Sequence, residues 1–335
     1  MKKKIILLSI VLGIALLIFI PSNVYASDIT KSTKISINEK TINKNVIDGK
    51  ESTYATINKE AIITIRAEED IYGLYIVYEY SSKKGTLSSN GKTMDIGKNN
   101  FLHEYVDIAS LGASKELILT YNEEVKIAEI YVLSGGVLPD FVEIWEPSCE
   151  VADLLLFTTH SDDEQLFFLG LLPTYVARGA YVQVVYFANH NDAPNRLHEQ
   201  LHGLYTVGIR NYPVMGLIPD AYSTTLQGAI SNLKTTGLTQ DDALKFQVEM
   251  IRRFRPQVVV GHDEKGEYSH GQHILNTYLL KQAIYKANDS TFDEISYNKS
   301  GNWQISKLYL HLYEDNQIIM DYDIPLEYFG RENCI

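Results

Sequence analysis

The chain has 335 residues, 45% of them hydrophobic, and a formal net charge of −12 from 30 Lys and Arg against 42 Asp and Glu. That length suits about two domains with packed cores, and only 9 Pro and 21 Gly exclude a collagen-like or low-complexity chain. No basic block lies beyond Lys2–Lys4, which excludes the usual footprint of a nucleic-acid partner, and Cys149 and Cys334 are too few for a disulfide framework or a cysteine zinc site.

Lys2, Lys3 and Lys4 precede an uncharged run from Ile5 to Ile20, and Val24-Tyr25-Ala26 follows with the small-x-small spacing of a signal-peptidase site. The run is 16 residues long, short of the ~20 that span a bilayer. Residues 1–26 are therefore expected to be a bacterial-type export signal, giving a secreted or cell-surface protein with no membrane span after cleavage. A retained anchor is the alternative. In an oxidising compartment Cys149 and Cys334 are able to pair.

Residues 27–136 have the texture of strands and turns. Leu74, Ile76, Tyr78 and Tyr80 alternate with Tyr75, Val77 and Glu79, which predicts a strand with one buried face. Ile63, Ile65 and Ala67 repeat the pattern, and Ser81–Gly85 and Ser89-Asn90-Gly91 read as turns. A β-sandwich ending at Gly135-Gly136 is expected, followed by a connector over 137–150.

From residue 151 to 335 strand and helix alternate. Leu154–Thr159, Tyr181–Phe187 and Gln257–Val260 are continuous apolar runs of strand length. Asp163–Leu172 reads as a helix stopped by Pro173, and Pro194 opens a helix running towards Gly208. Thr239 and Asp242 form a capping-box pattern before Leu244, Val248 and Ile251, and Leu275, Tyr278, Leu279 and Ala283 mark a further amphipathic helix. This rhythm predicts an α/β domain with a parallel sheet covered on both faces.

Two clusters carry chemistry. His160-Ser161-Asp162-Asp163-Glu164 follows the first strand of the α/β region, at the end where open parallel sheets bind ligands. Acids suit a helix N-terminus, but that accounts for the carboxylates and not for His160. Gly266-Glu267-Tyr268-Ser269-His270-Gly271-Gln272-His273 follows a later strand, and the spacing of His270 and His273 puts both on one side of a helical turn. Imidazole with carboxylate suits zinc or a similar ion, and a catalytic zinc takes three protein ligands. One His and one Asp from the first loop with one His from the second meet that count. His262-Asp263 is either a supporting pair behind the ligands or an ordinary loop pair. Arg196 and Glu199 stand one helical turn apart, as a surface ion pair or as pocket residues. His103, His190, His198, His202 and His311 are given no role.

Together, His-x-Asp-Asp-Glu and Gly-Glu-Tyr-x-His-x-x-His, with Arg196 and Glu199 between them, resemble the PIG-L/LmbE-like family of metal-dependent N-deacetylases over roughly residues 152 to 312. The resemblance implies a Rossmann-like fold, with His160, Asp163 and His273 as ligands of zinc, or of iron in the cell. It implies Asp162 as general base, and Tyr268 and a protonated His270 as stabilisers of the oxyanion, His270 then protonating the leaving amine. Arg196 and Glu199 would bind substrate. Ser161 stands where the family commonly has Pro, and Gln272 where it commonly has Asp, a change expected to bear on the charge of His270. Val46–Lys50 with Thr53 and Tyr54 more weakly resembles the opening of discoidin-like (F5/8 type C) modules, implying attachment to a cell-wall or surface glycan. The expectation is an exported deacetylase of an N-acetylglucosamine-type sugar or glycoconjugate. A metal hydrolase of other N-acyl amines, or a glycan-binding protein with a silent α/β domain, are the alternatives.

Overall fold

The computed structural model describes residues 25–41, 44–321 and 323–326. The export segment lies outside the described residues except for Tyr25 and Ala26, and Cys334 lies outside them too. Ten strands build the first half: β1 (Lys34–Ile37), β2 (Lys40–Thr41), β3 (Ala55–Ile57), β4 (Ile63–Ile71), β5 (Gly73–Tyr78), β6 (Gly85–Ser89), β7 (Lys92–Ile96), β8 (His103–Asp107), β9 (Ser114–Tyr121) and β10 (Val125–Leu133). They form two antiparallel sheets, ordered β2-β1-β4-β9-β6-β7 and β3-β10-β5-β8. Ile63, Ile65, Leu117 and Leu119 from one sheet meet Leu74, Ile76, Ile130 and Val132 from the other in a single core. Each such side chain, fully buried, contributes about 1.5–3 kcal/mol.

The alternation over 74–80 does not leave a wet face. All six residues of β5 are buried, because Tyr75 and Val77 on its outer face pack against Val142 and Leu138 from the following segment. In the expected connector over 137–150, Val142, Glu143, Trp145 and Cys149 are buried. Trp145 joins Phe101 and Leu102 of the sandwich in one core with Leu154, Leu156 and Leu204 of the second half. The Phe101 ring stacks on Tyr212 at 4.5 Å between centroids, and the Leu102 N–H donates to the Tyr212 hydroxyl.

The second half contains β11 (Leu154–Thr158), α1 (Asp163–Leu166), α2 (Leu171–Ala177), β12 (Val182–Tyr186), β13 (Ala188–Asn189), α3 (Pro194–Thr206), β14 (Ile218–Pro219), α4 (Leu226–Thr235), α5 (Gln240–Phe254), β15 (Val258–Gly261), α6 (Gly271–Lys286), α7 (Glu294–Ser300) and β16 (Lys307–Leu310). Its main sheet is parallel, ordered β12-β11-β15-β16. The capping box forms at the head of α5, and Arg255 ends that helix in the left-handed conformation (φ 48°) before Pro256. The helix expected over 163–172 is instead broken between α1 and α2. Pro173 falls in the first turn of α2, where a missing N–H costs nothing, so it helps open a helix rather than ending one. The break turns the rings of both Phe167 and Phe168 onto His262 and His311, which adjacent residues of one regular helix would not reach together. Tyr278 falls off the buried stripe of α6 and is exposed. Among the described residues no helix is long and apolar enough to cross a membrane.

Candidate active site

β11 and β15 are neighbours in the sheet, so the loops leaving their carboxyl ends lie side by side, and these are the two loops carrying the clusters. After β11 the chain turns into α1, and the Asp163 carboxylate accepts the backbone N–H of His160 at 2.7 Å, closing the turn. After β15 the chain passes a tight corner to reach α6. Gly266 is required there: its φ is 68°, and a Cβ would lie 2.6 Å from the His270 carbonyl oxygen. Tyr268 (φ 54°) and Ser269 (φ 56°) are also left-handed, a conformation that stores of order 1–3 kcal/mol per residue and concentrates at functional loops.

These turns bring His160, Asp163 and His273 together. His160 Nδ1 lies 3.2 Å from Asp163 Oδ2 and 3.1 Å from His273 Nε2, and His273 Nε2 lies 3.1 Å from Asp163 Oδ2. The three atoms form a nearly equilateral triangle. Ligands about 2.0–2.1 Å from a tetrahedral zinc are separated by roughly 3.3 Å, so the donor set fits such an ion in both chemistry and spacing. His262 Nε2 stands 3.5 Å from the same Asp163 oxygen, and His270 is near enough to share an ion with His160 and His273. All three members of the triangle are buried.

Behind the triangle Glu267 acts as a hub. One carboxylate oxygen accepts from His262 Nδ1 (2.7 Å) and His273 Nδ1 (2.9 Å); the other accepts from His311 Nδ1 (2.7 Å) and the Asp263 N–H (3.1 Å). An imidazole that donates Nδ1–H to a carboxylate is left with Nε2 as the nitrogen that faces a metal, which binds by displacing any proton there. Burial alone would raise the Glu267 carboxyl, but the hydrogen bonds from His262, His273 and His311 hold it far below the ordinary carboxylate range. His273, pulled down by burial, is raised to about 9 by Asp163 and Glu267. Asp163, despite burial, is likewise held well below its usual value by His160 and His273.

Gln272 does something other than the sequence suggested. Its amide oxygen faces His160 Nε2 at 2.8 Å and accepts the Ala221 N–H, while its amide nitrogen donates to the Pro219 carbonyl. It therefore sets the tautomer and tilt of His160 rather than the charge of His270. Burial and the neighbouring His160 and His273 bring His270 down to about 4, so the free site holds it as a neutral imidazole at pH 7 rather than the protonated one expected. Its Nδ1 is buried without a hydrogen-bond partner among the described residues. Ser161 uses what a proline at its position would lack: its N–H donates to His190 Nε2 and its hydroxyl to Gln200.

At the mouth, Asp162 is more than half exposed and pairs with Arg196 at 3.2 Å. The other arm of Arg196 reaches Asp220 at 3.3 Å, and Asp220 lies 3.4 Å from His160 Nε2. Arg196 thus does not pair with Glu199, which is exposed and makes no side-chain hydrogen bond or ion pair among the described residues. Tyr268 is 83% exposed, with its ring tilted against Phe167 at 5.7 Å and its hydroxyl unbonded to the histidine cluster. It stands at the rim. Asp220, His190 and His311 gave no local signal, because each reaches the cluster from a distant part of the chain; Glu267 was inside a recognised pattern but unassigned.

Glu164 lies beside this cluster, fully buried with neither oxygen hydrogen-bonded among the described residues. Burial raises its carboxyl to about 8. The folded chain then keeps a proton that the unfolded chain releases above its ordinary 4.5, so Glu164 costs stability as the pH climbs from there towards 8. Glu164→Gln should melt roughly 5 °C above the parent at mildly alkaline pH and together with it at about pH 4. Equal melting temperatures at both pH values would contradict a protonated Glu164.

Residues 155–284 match the family described as PIG-L: GlcNAc-PI de-N-acetylase. The 1D-myo-inositol 2-acetamido-2-deoxy-alpha-D-glucopyranoside deacetylase 1 of Catenulispora acidiphila is 26% identical over 178 residues, 47% of this chain and 54% of that protein. The chain therefore spans about half the length of such curated relatives. Among solved structures, N,N'-diacetylchitobiose deacetylase from Pyrococcus horikoshii is 15% identical, over 51% of this chain and 64% of that one, with a TM-score of 0.39. CpGH89CBM32-6 of Clostridium perfringens is 22% identical, over 32% of this chain and 100% of that one, with a TM-score of 0.27. Residues 155–284, which carry His160, Asp163 and His273, are a PIG-L domain.

Proposed function

We propose that the chain is an exported, zinc-dependent N-deacetylase of an N-acetylglucosamine-type sugar or glycoconjugate. The observation that carries this reading is the triangle of His160, Asp163 and His273 with edges of 3.1–3.2 Å, inside a domain whose relatives include named deacetylases. An ion held there would supply Lewis acidity and bring water ionisation near neutral pH. Asp162, exposed beside the ligands and outside the triangle, takes the proton from the attacking water. His270, neutral in the free site, offers its N–H to the carbonyl oxygen as negative charge develops, and the proton taken up by Asp162 passes to the departing amine. Tyr268 at the rim closes over the acetyl group, and Glu199 faces the approaching sugar. Arg196 bridges Asp162 and Asp220 and presents the rest of its guanidinium to sugar hydroxyls. Export, and attachment to a surface glycan through the sandwich, are parts of the same proposal.

Acetate release from a panel of N-acetylglucosaminides, with metal content measured in parallel, tests it. Release should stop on chelation, return with zinc, and be absent from a His160→Ala/His273→Ala chain. Release that survives both treatments would defeat the reading. Arg196→Ala should raise KM about tenfold with a smaller change in kcat, through lost substrate contacts. An unchanged KM would leave Arg196 as an ion-pair partner only.

A further inference from the structure

A second cluster of histidines lies where the two halves of the chain meet, and the proposed reaction does not use it. His198-Glu199-Gln200-Leu201-His202 on α3 places two imidazoles at i and i+4, on one face of the helix, a spacing used by helical zinc sites. Across the interface stand Glu51, in the loop before β3, and His103, the first residue of β8. His202 Nε2 lies 3.0 and 3.1 Å from the two Glu51 oxygens. His103 Nε2 lies 2.8 Å from His198 Nδ1 and 4.0 Å from Glu51, and His198 Nδ1 lies 3.9 Å from Glu51. Ligand atoms of Glu51, His103 and His202 thus lie within 4.8 Å of one another, close enough to share one ion, and His198 stands next to His103 and Glu51 at their edge.

The surroundings are those of a metal site as well. Glu143 accepts from His202 Nδ1 at 2.7 Å and faces His103 Nδ1 at 3.2 Å; Trp145 Nε1 donates to the same carboxylate, and the Tyr75 hydroxyl meets His103 Nδ1 at 2.9 Å. These contacts occupy the outer nitrogen of both rings and leave Nε2 of each turned inward, that of His202 towards Glu51 and that of His103 towards His198. His103 and His198 are almost completely buried, so two imidazole nitrogens face each other at 2.8 Å with a single proton to share. The remaining nitrogen of His198 has no hydrogen-bond partner among the described residues. Glu51 and His202 are partly exposed, which gives an ion a way in.

We propose that Glu51, His103, His198 and His202 form a second divalent-metal site, suited to zinc, that fastens the sandwich to the α/β half. With four protein ligands it is closed, leaving no position for a reacting water. Glu199, which would be the base in a helical protease site of this spacing, is exposed and makes no contact with the cluster. The site is therefore structural. It also anchors α3, the helix from which Arg196 reaches the catalytic mouth.

The full chain carrying His160→Ala/His273→Ala isolates this site from the catalytic one. After zinc loading and gel filtration it should keep about one zinc per chain, and cobalt in its place should give the intense visible bands of tetrahedral coordination. Adding Glu51→Gln and His202→Gln should remove both signals, and Glu143→Gln should weaken binding about 10–100-fold. Zinc should raise the melting temperature of the His160→Ala/His273→Ala chain and not that of the chain lacking Glu51 and His202. A folded His160→Ala/His273→Ala chain that holds no zinc would overturn the proposal, leaving a hydrogen-bonded clamp between the halves. Zinc that persists after Glu51→Gln/His202→Gln would overturn it too, by placing the ion elsewhere.

Discussion

Asp162→Asn should lower kcat for acetate release by about 10²–10⁴-fold while leaving the metal content of the protein unchanged. The two halves of this expectation come from one placement. Asp162 follows His160 by two residues and precedes Asp163, yet its carboxylate points to the open mouth, where it is more than half exposed and bonded to Arg196 at 3.2 Å. Removing its charge therefore spares the triangle that would hold the ion. It also costs little stability, since an exposed ion pair contributes about 0–1 kcal/mol. The lost rate corresponds to about 3–5 kcal/mol of transition-state stabilisation. Zinc analysis and kcat on one preparation check both halves. A kcat within twofold of the parent would remove Asp162 as base, and a large loss in Asp220→Asn instead would move the role to the carboxylate on the other arm of Arg196.

Glu267→Gln should weaken metal binding about 10–100-fold and destabilise the fold by about 3–5 kcal/mol at neutral pH. Four N–H groups converge on this buried carboxylate, and an amide would turn an NH2 group against two of them. The pH dependence follows from its sign. The folded pKa of Glu267 is depressed, so its stabilisation is present above the unfolded value near 4.5 and is lost as the pH falls below it. The melting temperatures of parent and variant should therefore converge on acidification. A variant that binds zinc with parental affinity would show that the hub does not orient His273.

The α/β half was legible because parallel strands buried on both faces are written as apolar runs, and because a ligand loop at the end of such a strand has no packing explanation for its histidine. His160, Asp163 and His273 come together as the two loops suggested. The partners that orient them were not legible for a different reason. Glu267 reaches His262, His273 and His311 at once, and Gln272 reaches back to His160, so their roles exist only after the sheet has set strands side by side. The cluster of Glu51, His103, His198 and His202 joins residues up to 151 positions apart. Its His198–His202 spacing was nonetheless readable on α3. The two-sided burial of β5 likewise depends on a segment that packs back from 138 to 142, which no period-2 pattern announces.

The stacking of Phe101 on Tyr212 has a consequence for how a polymer would be processed. A binding module on a flexible linker acts as a leash, enriching every site within its reach. Here the sandwich and the α/β half share buried side chains, so the separation between them is a length rather than a distribution. For a glycan chain gripped by the sandwich, the protein would work as a ruler: acetyl groups at one distance from the grip would be removed, and those nearer or farther would be passed over.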